Sequence, residues 1–210
     1  MPYKQIKDKG LLSNFLEKGI KILLKKECKK INNLEIDIVA SSLQIIRGKI
    51  KKIYISAEDI DYKDLVFDQI KLEANEIEIN FKLNKKQLNF QDNIIINFRI
   101  SLSEKSLKNI LFSNRWNWIR DIITKEILNQ SKLEDIKINT GKLLMKTRNK
   151  DASNNEIEKI YVKTEKGKIN LSNKAYNKSI EIPIEDKIYI KNIYFENNFI
   201  IIQANSSINL

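Results

Sequence analysis

Histidine is absent from this 210-residue chain, cysteine occurs once, proline twice and glycine five times. Each shortage closes a class of chemistry. Without histidine there is no Ser-His-Asp or Cys-His machinery and no His-ligated zinc or iron site. Cys28 alone forms no internal disulfide and nucleates no thiolate cluster. The glycines, at 10, 19, 48, 141 and 167, are scattered, so they spell no nucleotide fingerprint. The longest uninterrupted aliphatic or aromatic run is Phe199 to Ile202, far below the roughly 20 residues of a membrane-spanning helix. Lys4, Lys7 and Lys9 would serve as a basic leader, but Ser13, Asn14 and Glu17 interrupt the apolar stretch behind them. The expectation is a protein without a cleavable signal, cytoplasmic or peripheral on the cytoplasmic face of a membrane.

What is present is charge and aliphatic bulk. A share of 42% apolar residues with 31% charged is globular composition, and the length suits a single domain over 1–210. Thirty-eight basic residues against 27 acids leave +11. Isoleucine, asparagine and lysine crowd the sequence, as they do in proteins of AT-rich genomes, so the distribution of the excess says more than its sum. Residues 1 to 32 carry nine lysines against Asp8, Glu17 and Glu27, whereas Ser56 to Phe81 carries Lys63 and Lys71 against eight acids. The chain has a basic end and an acidic strand region.

The spacing predicts an amphipathic helix over Leu11 to Ile31, with Leu12, Phe15, Leu16, Ile20, Leu23, Leu24, Cys28 and Ile31 at three- and four-residue steps. Asn32 and Asn33 are placed to end it, asparagine tolerating the left-handed conformation. The period then changes to two. Strands are expected at Leu34–Ile38, after a turn around Arg47 and Gly48 at Ile53–Ala57, from Leu65 onward, and at Ile94–Leu102. Ile70, Leu72 and Ala74 share one phase while Ile77, Ile79 and Phe81 share the other, which suggests a β-bulge near Asn75. Ser103 caps a short helix through Leu111, and a longer one is expected from about Asn114 to Gln130. Seven further strands follow between Ile136 and Ala204, with a polar loop at Asn149 to Asn155. Helix-then-strands thus occurs twice, dividing the chain at about 102/103. The expected class is α+β: a long amphipathic helix wrapped by strongly curved antiparallel sheet, in two helix-plus-sheet halves.

Among candidate sites, Glu58, Asp59, Asp61, Asp64 and Asp68 offer carboxylates for a divalent ion or an acid/base pair. No glycine-bearing calcium loop matches their spacing, and acidic strand faces are commonly solvated surface, so neither a metal nor a cofactor is assigned. A basic nucleic-acid-binding module is the alternative that charge suggests. Against it, arginine stands only at 47, 99, 115, 120 and 148, and the acidic stretch would repel a polyanion. A structural protein-interaction domain is a further alternative. The lysine-flanked helix fits an anionic membrane surface, with its apolar face either packed on the protein's own sheet or enclosing a slot for acyl chains.

Leu34-Glu-Ile-Asp-Ile, Leu43-Gln-Ile-Ile-Arg-Gly-Lys-Ile, Ile53-Tyr-Ile-Ser-Ala-Glu-Asp-Ile-Asp-Tyr-Lys-Asp-Leu65, Asp68-Gln-Ile-Lys-Leu72 and Ile77-Glu-Ile-Asn80 resemble the LmeA-like phospholipid-binding family, in particular its cyanobacterial members. The likeness covers about the first hundred residues, down to Ile96–Leu107, and beyond that holds in strand rhythm. Asp64 stands where relatives commonly carry a turn glycine. The resemblance implies a tubular lipid-binding type of fold, no catalytic residues, and phospholipid or another acyl lipid held in an apolar interior. On this reading the expected lipid contacts are Leu12, Phe15, Leu16, Ile20, Leu23, Leu24, Ile53, Ile55, Ile70, Leu72, Ile96 and Phe98. The expected headgroup contacts are Lys18, Lys21, Lys25, Lys26, Lys29 and Lys30.

Overall fold

The computed structural model describes residues 10–82, 87–90, 94–148 and 155–208. The leader lysines 4, 7 and 9 and positions 149–154 of the polar loop lie outside the described residues. Helix α1 spans Leu11–Glu27. It is followed by β1 (Lys30–Val39), the short α2 (Ser42–Ile46), β2 (Lys49–Tyr62), β3 (Leu65–Lys82), β4 (Gln87–Phe90) and β5 (Ile94–Ser103). Then come α3 (Glu104–Leu111), α4 (Asn117–Glu126) and the strands β6 (Lys132–Asn139), β7 (Lys142–Arg148), β8 (Asn155–Glu165), β9 (Lys168–Asn173), β10 (Lys178–Ile182), β11 (Ile188–Glu196) and β12 (Phe199–Ile208).

Two antiparallel sheets result. The larger has the order β1-β2-β3-β5-β12-β11, with β4 paired to the far end of β3, and the smaller has the order β10-β9-β8-β7-β6. The strands therefore do not divide at 102/103: β11 and β12 return to the first sheet, β12 lying beside β5 with Ile200 opposite Leu102. One large core joins the sheets. It gathers Leu102 and Ile200 of the first with Ile136, Met145, Ile160 and Leu171 of the second, together with Ile110, Ile123 and Ile127 of the α3–α4 region. Ser103 caps α3 as its sequence position suggests, its hydroxyl accepting from the N–H of Ser106 at 3.2 Å.

Three expectations are corrected. Neither sheet is strongly curled, and α1 is not wrapped: it packs on the edge strand β1 and on α2, a position from which a sheet cannot roll around it. The helix also ends at Glu27 rather than Ile31, because Cys28 is already extended and the N–H of Lys29 bonds the carbonyl of Asp61, drawing the chain into the sheet. Asn33 does adopt a left-handed conformation (φ 46°), but inside β1, where the register against β2 shifts. Lastly, the phase change in β3 is made without a register shift. Ile50 faces Ile77 and Lys52 faces Asn75, and left-handed Glu76 (φ 48°) turns the chain so that Ile77 joins Ala74 in one cluster. A true bulge would have broken the pairing and bent the strand; the left-handed residue changes face alone.

Candidate lipid-binding face

Directly opposed residues in an antiparallel sheet point to the same side, so the register sorts the first sheet into two faces. On one lie Ile38, Ile53, Ala74 and Ile96 in a row, then Ile36, Ile55, Leu72, Phe98 and Ala204, then Ala57, Ile70, Ile100 and Ile202. The opposite face carries Asp37, Tyr54, Glu73, Asn97 and Asn205 in a single row. All six strand positions expected to contact lipid fall on the apolar face: Ile55, Leu72 and Phe98 are direct cross-strand neighbours, Ile53 and Ile96 flank Ala74, and Ile70 lies between Ala57 and Ile100. Ile36, Ile100, Ile202 and Ala204 complete that face. Their strands read as apolar in the sequence, but only the pairing shows which of them neighbour Leu72 and Phe98.

Helix α1 roofs one margin of this floor. Leu16 and Ile20 pack against the cluster of Ile38, Ile50, Ala74 and Ile77, and Leu24 packs against that of Leu34, Ala57 and Ile60. Two polar ties hold the helix in place. The buried Ser13 hydroxyl donates to the carbonyl of Ala40 at 3.1 Å, and the Glu17 carboxylate accepts from the N–H of Ile38 at 3.0 Å. Both backbone groups belong to β1 and its continuation at the sheet's free edge, where they would otherwise lack strand partners.

Those ties also orient the helix. Residues advance about 100° around a helix axis, and Glu17 reaches a group that points off the free edge. Leu16, Ile20 and Leu24 are the side chains that face the sheet, and Phe15, roughly 160° around the axis from Glu17, lies on the far side from them. Leu12 is half-buried, whereas Phe15 is 74% and Leu23 62% exposed. Phe15 and Leu23 are thus apolar side chains that the small clusters beneath α1 do not take up. Ile53 and Ile96 pack on one small cluster and Ile55 and Ile70 on the other, while Leu72 and Phe98, facing each other between them, are half-buried and pack on none of the clusters of buried residues.

The six lysines separate into two groups. Lys18, Lys21 and Lys25 lie toward the Glu17 side of α1, while Lys26 lies on the apolar side. All four are exposed and make no ion pair with a described residue. Lys29 and Lys30 are instead engaged with acids of the β2–β3 turn region. Lys29 pairs with Asp64, whose hydrogen bond raises the lysine pKa, and Lys30 meets Asp59 at 3.2 Å. That contact, with a second from Asn32 at 3.1 Å, holds the Asp59 carboxyl below its ordinary value.

The acidic run is structural elsewhere too. Glu58 accepts from Asn33 at 2.6 Å, Asp61 from the N–H of Asp64 at 3.0 Å, and Asp68 from the N–H of Ser103 at 2.6 Å. Among the described residues no group of three or more acidic or thiol side chains is arranged to hold a metal ion. Burial, then Asp61 and Glu27, push the Cys28 thiol pKa up, which makes it a poor nucleophile. On the second sheet, Glu158 accepts from Tyr176 at 2.7 Å and from the buried Asn173 at 3.0 Å, and the first contact pushes the Tyr176 phenol up to about 12.

The architecture is therefore that of an α+β protein whose larger sheet keeps an apolar face half-roofed by an amphipathic helix. Residues 9–174 match the LmeA-like phospholipid-binding family, and the chain belongs to that family. The match runs well past the first hundred residues, through β9. No curated protein and no solved structure matches the chain. Membership points to lipid binding and indicates no enzymatic family. No helix among the described residues is long and apolar enough to cross a membrane.

Proposed function

We propose that this protein is a non-enzymatic phospholipid binder or carrier working at a membrane surface, with acyl chains lying between the inner side of α1 and the floor of Leu72 and Phe98. The observation that carries the reading is the continuous apolar sheet face, whose Leu72 and Phe98 stay only half-buried, beside a helix whose Phe15 and Leu23 remain open to solvent. Large solvent-facing apolar surfaces of this kind mark binding sites. Each methylene moved from water into such a slot contributes about 0.8 kcal/mol, so about ten of them supply the ~8 kcal/mol that corresponds to micromolar affinity before headgroup contacts are counted. The lysines of α1 supply those contacts for anionic lipids.

Mass spectrometry of lipids extracted from the purified protein, together with uptake of a fluorescent phosphatidylglycerol from detergent solution, tests this. Wild-type protein is expected to carry and take up phospholipid, and Phe98→Glu to lose uptake while keeping its fold. A wild-type protein that neither carries nor takes up lipid would overturn the reading.

A further inference from the structure

A second apolar surface lies at the end of the first sheet where α1 begins. Gly10 sits against Ser42, so closely that a Cβ on the glycine would come within 2.3 Å of the serine hydroxyl. The start of α1 and the start of α2 are thereby side by side. Helix α2 is itself well specified: Ser41 and Gln44 form a reciprocal capping box, and Ile45 is buried. Its other two large apolar side chains are mostly exposed. Leu43 is 56% and Ile46 68% exposed, and neighbouring Leu11 on α1 is 87% exposed. A five-residue helix that points two aliphatic side chains into water, beside a third from another helix, makes a patch rather than a scatter of single exposed residues.

The stretch of chain that forms this patch carries charges of one sign. From Val39 to Ala57 the chain carries no acid but has Arg47, Lys49, Lys51 and Lys52. Lys49 and Lys52 are paired with Glu78 and Glu73 on the neighbouring strand. Arg47 and Lys51 are exposed and make no ion pair with a described residue, and Lys18 of α1 is in the same condition. Aliphatic side chains with an unpaired basic surround match a bilayer in chemistry: the side chains enter the acyl boundary while the cations meet anionic headgroups.

We infer that the α1–α2 corner is the membrane-docking tip of the protein, and that its partner is an anionic lipid bilayer. The inference deepens the lipid-binding reading and rests on it for one point, the direction of lipid entry. Helix α2 leads directly into β2, so the tip stands over the end of the floor formed by Ile53, Ala74 and Ile96. A lipid leaving the bilayer at the tip enters between α1 and the sheet from that end.

Docking is measured by co-sedimentation with mixed phosphatidylcholine–phosphatidylglycerol vesicles, and loading by uptake of fluorescent phosphatidylglycerol from detergent solution. The variant carrying Leu43→Asp and Ile46→Asp, both at exposed positions, is expected to lose at least about tenfold in vesicle binding with uptake unchanged. Arg47→Glu is expected to lose about fivefold and to show a weaker salt dependence than wild type. Vesicle binding by the double variant equal to that of wild type would overturn the assignment of the tip. A wild-type protein that docks through these residues yet takes up no lipid would sustain the tip and remove the slot.

Discussion

The two sheets use the same alternation of apolar and polar residues to opposite ends. In the second sheet the inward row is sealed: Ile136, Met145 and Ile160 have no accessible surface, because α4 and the strands of the first sheet close over them. In the first sheet the equivalent positions Ile53, Ile55, Leu72, Ile96 and Phe98 all remain partly open, because α1 covers them only in part. The strands do not differ in kind. What differs is the number of layers laid on them, and the shortfall marks the surface left for a ligand.

Substitutions that treat the two faces alike test this contrast. Ile160→Ala, in the sealed layer, is expected to cost about 3 kcal/mol, read as a lowered denaturant midpoint. Tyr176→Phe leaves Glu158 with only Asn173 as a side-chain partner and is expected to cost about 1 kcal/mol. The Tyr176 phenol titrates higher in the folded protein than its ordinary 10.0, at about 12. Its contribution is therefore complete below pH 10 and lost as pH rises through 12. A wild-type melting temperature that falls more steeply over that interval than that of Tyr176→Phe is the expected result. Leu72→Ala, in the open layer, is expected to cost less than about 1 kcal/mol, since less contact is lost where the side chain is only half-covered, while lowering lipid uptake. A cost equal to that of Ile160→Ala would mean that the floor is packed like the second sheet. Asp59→Asn is expected to have the smallest effect, its partners Lys30 and Asn32 being at the exposed surface. Because the Asp59 pKa is lowered, any contribution is present above about pH 3.8 and fades as pH falls below it.

Much of this was legible in the chain itself, for reasons that residues make plain. Period-two spacing placed the strands, and it put Ile53, Ile55, Ile70, Leu72, Ile96 and Phe98 on inward faces without any knowledge of pairing. The cap at Ser103 was readable because a serine before a helical run has one chief use. Three things were not legible. The return of β12 to β5 is a contact across about a hundred residues, which local pattern does not encode. The division of α1 into a docked and an exposed side depends on Ser13 and Glu17 finding edge groups of β1, and the apolar arc alone does not reveal which half of it is covered. The turn at Arg47 and Gly48 was legible, but helix α2 just before it was not, although Ser41 and Gln44 carry a capping box at its start; the helix is too short for a periodicity to show.

The place of β12 has a consequence for the making of the protein. Until Phe199 to Ile208 leaves the ribosome, β5 has β3 on one side and nothing on the other, so a growing chain presents a bare strand edge beside its most apolar surface. Such edges recruit other chains. A stop anywhere before Phe199 would leave that edge permanently unpaired, and the truncated product is expected in inclusion bodies rather than as a weakened carrier.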